Sequence, residues 1–170
     1  MNNVSRVVWV LALSAGIAAC TNANSVDAKA SASRQCVPGE TMGTSDAGLT
    51  QVKLCVQSGK ISRGFTTEVA ATGREQAIGM MFRKSMADNS AMIFPLSPPR
   101  QARFWMKNTL IPLDIIFVRS NGSIESIAEN TVPYSEEPVA SGEAVAGVLE
   151  LRGGLTKELG IKAGDVVRWK

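Results

Sequence analysis

The sequence predicts a mostly-β domain, either a compact antiparallel β-sandwich or a partly open barrel, with one short α-helix at about residues 72–83. Short segments in which apolar and polar residues alternate recur at close intervals along the chain, and this period is typical of half-buried strands. Asn121 and Gly122 lie between two such segments, where both residues tolerate the positive φ of a tight hairpin turn. Many short strands with a single helix favour a sandwich or a barrel.

The N-terminal part of the chain has the pattern of an exported protein. Residues 1–19 are predicted to be a signal peptide, because the apolar run at 7–19 is too short to span a bilayer as a helix. Small residues precede Cys20, which resembles the lipobox of bacterial lipoproteins, in which the cysteine is lipidated. An ordinary signal peptide that contains a cysteine is the alternative. The expected location is the bacterial cell envelope, with a lipid anchor to the membrane. Thr21, in place of an aspartate, favours the outer membrane, facing the periplasm.

The region from the lipidated Cys20 to residue 48 is rich in Ala, Ser, Asn and Gly and is predicted to be a flexible tether. A single domain is expected at 49–170. If Cys20 carries lipid, Cys36 and Cys55 remain as an even pair in an oxidising compartment, where a disulfide is the simplest outcome. Two unpaired buried thiols are the alternative.

The elements of the domain follow in order along the chain. Thr72 and Glu75 match a helix-capping box, and Ala77, Ile78 and Met81 would form the apolar stripe of a helix that ends near Arg83. A single helical turn is expected to end at Gly160. Strands are predicted at 49–57, 61–70, 91–96, 103–107, 113–120, 123–129, 144–151 and 165–169.

Four motifs in this order resemble the domain of unknown function 192 (DUF192) family over about residues 50–170. They are "GMMFR" at 79–83, "FWMKNTLIPLDIIFV" at 104–118, "VLEL" at 148–151 and "LGIKAGDVV" at 159–167. The resemblance implies a compact, mostly-β sandwich with one helix. It implies no activity.

The composition excludes several classes of function. The chain has no histidine, which excludes a Ser-His-Asp triad, a Cys-His pair and the usual histidine-bearing zinc sites. It carries no Gly-rich phosphate loop, and no spacing suggests a metal site, so we expect neither cofactor nor metal. The formal net charge of +3, without a basic cluster, gives no reason to expect a nucleic-acid partner.

The candidate ligand-binding residues are centred on residues 103–118. If 103–107 and 113–118 pair as a hairpin, Trp105 and Lys107 share one face and Lys107 lies near Asp114. Trp105 would then stack on a ligand, with Lys107, Asn108 and Asp114 as polar anchors. The alternative is structural: core aromatic residues beside a cross-strand ion pair.

Glu150 and Arg83 complete the candidate set. Glu150 lies between apolar neighbours, and burial would raise its pKa, as in many general acids. It could instead face outward, or pair with Arg83 or Lys107, and Arg83 could simply interact with the end of its helix. Asp114 and Glu150 together could form a carboxylate pair of the glycosidase type.

Three functions are compatible with these residues. The first is a non-enzymatic envelope lipoprotein that binds a small polar ligand, a glycan or a protein partner through residues 103–114. The second is a carboxylate-dependent hydrolase that acts on cell-envelope glycan. The third is a structural partner in an envelope assembly. The missing catalytic groups favour a non-enzymatic role, although the residues alone leave enzymatic activity open.

Overall fold

A computed structural model of the protein describes residues 36–170. The expected signal peptide, Cys20 and most of the tether lie outside the described residues. The described chain is mostly β, as predicted, with two short helices. Its elements, in chain order, are β1 (Thr41–Thr44), β2 (Thr50–Ser58), β3 (Ile61–Val69), α1 (Gly73–Ile78), β4 (Ser90–Arg100), β5 (Arg103–Phe104), β6 (Leu113–Val118), β7 (Ile124–Ala128), β8 (Val139–Ala140), β9 (Val145–Arg152), α2 (Leu155–Leu159) and β10 (Val166–Arg168). None of the helices in this part of the chain is long and apolar enough to cross a membrane.

One eight-stranded sheet forms the body of the domain. Its strand order is β1-β2-β3-β4-β9-β6-β7, and β10 pairs with β2. All these pairs are antiparallel except β3 and β4, so the sheet is mixed rather than purely antiparallel. A parallel pair needs a crossover connection, and here the segment that contains α1 provides it. A bridge between Ser123 and Val166 brings the β6–β7 turn to β10, but within the described residues the sheet does not close into a barrel.

The sheet is buried on both faces. One apolar cluster, the α2-side core, includes Ile116, Leu149 and Leu155. The second, the α1-side core, includes Met92, Ile115 and Val148. Successive residues of a strand point to opposite faces, so a strand between two cores must be apolar on both sides. This explains why β6 is wholly buried.

The predicted hairpin between residues 103–107 and 113–118 is wrong. The short strand β5 pairs with β8, where Arg103 lies opposite Ala140, and β6 pairs with β7 and β9. The five residues from Lys107 to Ile111 form an irregular segment rather than a hairpin turn. The sequence shows which residues favour strands, but it does not show which strand edges meet.

The helix predicted at 72–83 begins where expected but is shorter. The capping box is confirmed: Glu75 N donates to Thr72 Oγ1 and the Glu75 carboxylate accepts from the Thr72 backbone. The helix ends at Ile78 because Gly79 has a φ of 47°, which breaks the helical backbone. Ala77 and Ile78 are exposed, so the predicted apolar stripe does not pack into a core. The single turn that ends at Gly160 is confirmed as α2.

The Cys36–Cys55 disulfide is confirmed. The two Cα atoms are 5.8 Å apart, within the range that a disulfide requires. The bond closes a sequence separation of 19 residues and fastens the start of the described chain to β2.

Candidate functional site

A cleft of about 400 Å³ opens on the α1 side of the sheet. Four parts of the chain form it: α1 with the loop after it, β4, residues 101–109 with β5, and Glu150 on β9. Apolar side chains make up much of its wall, and Gln76, Thr109 and several cationic side chains add polar groups. The lining residues used below are Gln76, Ile78, Met80, Phe94, Leu96, Arg100, Gln101, Arg103, Phe104, Trp105, Lys107, Thr109 and Glu150.

Glu150 lies at the inner end of this cleft. The strand register places it between Met92 on β4 and Ile115 on β6, two residues of the α1-side core, so all three side chains share one face. Only 5% of Glu150 is exposed. Burial raises the pKa of its carboxyl to about 8, although the nearby charge of Arg83 acts in the opposite direction. Among the described residues, its Oε2 atom has no hydrogen-bond partner.

Arg83 lies behind the wall of the cleft. Its guanidinium is 2.6 Å from a carboxylate oxygen of Glu68, a buried residue in the same cross-strand row as Met92 and Glu150. Arg83 lines a neighbouring, more polar depression of about 650 Å³, and Met80 lies between the two cavities because it lines both. Arg83 therefore forms its ion pair with Glu68, and its charge acts on Glu150 by lowering the pKa of that carboxyl.

Trp105 and Lys107 stand at the mouth of the cleft. Trp105 is 50% exposed, and the Lys107 ammonium lies 5.2 Å from the centre of its ring, within cation–π distance. The predicted Lys107–Asp114 ion pair is wrong: the Lys107 nitrogen lies 3.6 Å from a carboxylate oxygen of Glu136. Both members of that pair are substantially exposed, so it holds Lys107 only weakly.

Asn108 has a backbone role beside the cleft rather than a place in its lining. Its φ of 54° lies in the left-handed region, which asparagine tolerates better than most residues. Its carbonyl accepts a hydrogen bond from the amide of Phe82, at 2.9 Å. The carbonyl of the next residue, Thr109, accepts one from Tyr134. These bonds fasten the turn after Trp105 to two other loops.

Asp114 does not belong to this site. It lies opposite Leu151, on the α2 side of the sheet, whereas Glu150 points to the α1 side. Its Oδ1 accepts from the amides of Asn130 and Gly154, at 2.7 and 2.8 Å. Its Oδ2 accepts from the amide and the hydroxyl of Thr156, both at 2.7 Å. The predicted glycosidase pair is therefore wrong, because a whole sheet separates the two carboxyl groups.

Arg100 and Arg103 also line the cleft. Arg103 lies within the predicted binding region at 103–114 but is not among the predicted site residues, and Arg100 lies outside that region. Both are exposed, and within residues 36–170 neither guanidinium forms an ion pair with a carboxylate. Arg100 ends a strand that contains three prolines and Arg103 begins β5, and two arginines three positions apart are a weak signal in the sequence. Within residues 36–170 there is no cluster of three or more acidic, cysteine or histidine side chains that could hold a metal ion.

Comparison with known proteins shows the family of the chain. A family model for DUF192, described as an uncharacterized ACR, matches residues 54–169. A protein of unknown function from Novosphingobium aromaticivorans DSM 12444, with a crystal structure at 1.22 Å resolution, is 46% identical, with a TM-score of 0.71 over 73% of this chain and 89% of that one.

A second crystal structure shows the same fold. It is that of a candidate transcription regulator from Sinorhizobium meliloti 1021 and is 36% identical, with a TM-score of 0.69 over 71% of this chain and 94% of that one. No curated protein matches the chain. The family match spans α1, every residue that lines the cleft and most of the sheet, from Leu54 in β2 to β10. The chain therefore belongs to the DUF192 family.

Proposed function

We propose that this domain is a non-enzymatic binding module that takes a small polar ligand in the cleft above Glu150. The observation that carries the proposal is that the buried Oε2 atom of Glu150 has no hydrogen-bond partner among the described residues. Buried polar atoms without a partner are rare in folded proteins. A ligand that reached the inner end of the cleft would supply the missing partner. The 103–109 part of the predicted binding region contributes to this cleft, whereas Asp114 has no part in it.

The groups at the mouth suit a ligand with a flat face. Trp105 exposes half of its surface there, and an indole ring can stack on a sugar ring or on a planar group of a peptide. The ion pair of Lys107 with the exposed Glu136 is weak, so Lys107 is able to exchange that partner for a polar group of the ligand. A small polar ligand or a short glycan is compatible with these features.

We further propose that the protein acts in the bacterial cell envelope, anchored through lipid on Cys20 to the outer membrane. The apolar run that ends at Cys20 supports this location. The Cys36–Cys55 disulfide adds support, because such bonds persist in oxidising compartments. Globomycin, which blocks cleavage of lipoprotein signal peptides, should cause an uncleaved precursor to accumulate. Normal processing in its presence, or processing of Cys20→Ser, would reject the lipid anchor.

Binding can be tested by nuclear magnetic resonance (NMR). The 15N-labelled protein is titrated with N-acetylglucosamine oligomers and with N-acetylated amino acids, and we expect shifts of the Trp105 indole and of amides at 100–109. Trp105→Ala should weaken binding, whereas Phe82→Ala should not, because Phe82 is 67% exposed but does not line the cleft. If no compound in this panel shifts the cleft signals, the proposal fails.

A second candidate function, a structural partner in an envelope assembly, is favoured by a separate observation. Phe82, Val132 and Tyr134 are each more than 60% exposed, and none lines the cleft. Exposed aromatic residues are enriched at protein interfaces. Crosslinking in cells, followed by purification, should then recover a partner that the triple alanine variant at these positions loses, whereas Trp105→Ala keeps it. Equal recovery with the triple variant would count against this function.

A further inference from the structure

We propose that the cleft selects a small organic anion whose apolar body separates its negative group from an uncharged oxygen acceptor. The acceptor would meet the Glu150 carboxyl at the inner end, and the negative group would meet the cationic side chains at the mouth. This inference rests on the proposed binding function and specifies the class of ligand.

Several polar side chains in the cleft already donate hydrogen bonds to backbone carbonyls of the protein. The Gln76 amide donates to the carbonyls of Ala70 and Pro95, at 3.2 and 2.9 Å. The Thr109 hydroxyl donates to the carbonyl of Lys107, and the Gln101 amide to that of Gly142. Among the ionisable side chains that line the cleft, those with unused or weakly used hydrogen-bonding capacity within the described residues are Glu150 at the inner end and Arg100, Arg103 and Lys107 nearer the solvent.

The inner end requires an acceptor. Because the pKa of the Glu150 carboxyl is raised to about 8, the group is largely protonated at neutral pH and donates an O–H hydrogen bond. A ketone, amide or ester oxygen accepts such a bond without bringing a second charge into a buried place. An anionic group at this end would lose its solvation without meeting a cation, since the Arg83 guanidinium is paired with Glu68.

The middle of the cleft requires an apolar body. Met80, Phe94, Leu96 and Phe104 line it, and the rings of Phe94 and Phe104 pack edge to face with centres 5.0 Å apart. The volume of about 400 Å³ lies near the small end of the range of roughly 300 to 1,000 Å³ for small-molecule sites. A single ring with a short substituent at each end fits this space better than a long chain.

The mouth requires a negative group. Three cationic side chains line the cleft there, and the one carboxylate that pairs with any of them, within the described chain, is the exposed Glu136. A positively charged ligand would meet three like charges and, at the inner end, a neutral acid. A carboxylate is therefore favoured over an amine of the same shape.

Three matched compounds test the two ends separately. The compound 4-acetylbenzoate carries both features, 4-acetylbenzamide lacks the negative charge, and 4-isopropylbenzoate has nearly the same shape but lacks the acceptor. The dissociation constant of each is measured from NMR shifts of the full chain at pH 6.5. We expect 4-acetylbenzoate to bind about tenfold more tightly than either analogue, which is the effect of one hydrogen bond or ion pair of about 1.4 kcal/mol.

Variants then assign each preference to its residues. Glu150→Leu should abolish the advantage of the acetyl group over the isopropyl group, whereas Glu150→Gln, whose amide can still donate, should keep it. Arg100→Gln with Arg103→Gln should reduce the advantage of the benzoate over the benzamide, because Lys107 is then the one that remains of the three mouth cations.

Two results would overturn the inference. The first is equal affinity for all three compounds, with shifts in the cleft, which would leave the proposed binding function intact. The second is the absence of any shift with 4-acetylbenzoate. In that case the panel of acetylated sugars and amino acids decides whether the cleft binds small ligands of another class or none.

Discussion

The regions around Asp114 and Glu150 make an instructive comparison. Both are acidic residues on adjacent strands in the middle of the sheet, and both are at least 95% buried. Asp114 accepts four hydrogen bonds, shared between its two oxygens. Glu150 has an oxygen with no partner among the described residues. Burial of an acidic side chain therefore does not separate the two regions, whereas the unmet hydrogen bond beside a cleft does.

The difference arises from what packs on each face of the sheet. On the α2 side, the first residues of α2 and the turn at Asn130 direct their amides at Asp114, so both of its oxygens have hydrogen-bond partners. On the α1 side, Glu150 is surrounded by Met92, Ile115 and the cleft. Both oxygens of Asp114 thus have hydrogen-bond partners, whereas Glu150 keeps a buried oxygen without one among the described residues.

The largest effect is expected at Asp114. Asp114→Ala leaves four buried or partly buried donors without an acceptor, and we expect the free energy of unfolding to fall by about 4 kcal/mol. Urea denaturation measures this change. Asp46→Ala serves as a control because Asp46 is exposed and forms no ion pair within the described residues. A loss below about 1 kcal/mol would contradict the structural role of Asp114.

Glu150 should affect stability in a pH-dependent way. Below about pH 4.5 its carboxyl is protonated in both the folded and the unfolded chain, so it has no effect. Between pH 4.5 and about 8 the unfolded chain releases the proton and the folded chain keeps it, so the free energy of unfolding falls as pH rises. Above about pH 8 the carboxyl is ionised in both the folded and the unfolded chain, so the free energy of unfolding stays at its lowered value.

Glu150→Gln removes this dependence. The variant should match the natural protein at pH 4 and be more stable by about 3 kcal/mol at pH 7, as measured by urea denaturation at each pH. The charged groups that face Glu150 are Arg83 and, beyond it, Glu68, with Arg100, Arg103 and Lys107 across the cleft. Glu137→Gln, at an exposed loop position, is the control. Parallel pH curves for the natural protein and Glu150→Gln would contradict the buried, uncharged state of Glu150.

Arg83 affects both the pKa of Glu150 and the stability of the domain, because it lies near Glu150 and pairs with Glu68. Arg83→Gln removes the charge that opposes the rise of the Glu150 pKa, so that pKa should move further upward. The same change leaves the buried Glu68 without its ion-pair partner and should lower stability by about 2 kcal/mol at pH 7. The Arg83→Gln, Glu68→Gln double variant should recover much of that loss. Additive losses in the double variant would show that the pair is not coupled.

The smallest effect is expected at Asn108. Because its φ is positive, Asn108→Ala should lower stability by about 1 kcal/mol, whereas Asn108→Gly should be nearly neutral. Neither change should alter the affinity for 4-acetylbenzoate by more than about twofold once folding is complete, since Asn108 does not line the cleft. A large loss of affinity in Asn108→Gly would return this side chain to the ligand site.

The local features of the fold could be predicted from the sequence because they depend on neighbouring residues. The capping box at Thr72 and the segments of alternating residues are of this kind. The disulfide followed from the number of cysteines. The parallel pairing of β3 with β4 and the pairing of β5 with β8 could not be predicted, because alternation fixes the faces of one strand but not its partner.

The same limit applies to the candidate site. One cleft is lined by Trp105, Lys107 and Glu150, and all three are candidate ligand-binding residues predicted from the sequence. The predicted hairpin groups Asp114 with them, yet β6 turns Asp114 to the opposite face of the sheet. Arg100 could not be predicted as a site residue, because only the tertiary fold brings the end of β4 to the same cleft as Glu150.

The most direct test is a 13C NMR titration of the Glu150 side-chain carboxyl, assigned by its disappearance in Glu150→Gln. The structure predicts a midpoint near pH 8 in the free protein and a higher midpoint when 4-acetylbenzoate is bound, because the ligand accepts a hydrogen bond from the protonated form. A midpoint near 4.5 in the free protein would contradict the buried, unpartnered carboxyl on which the binding proposal depends.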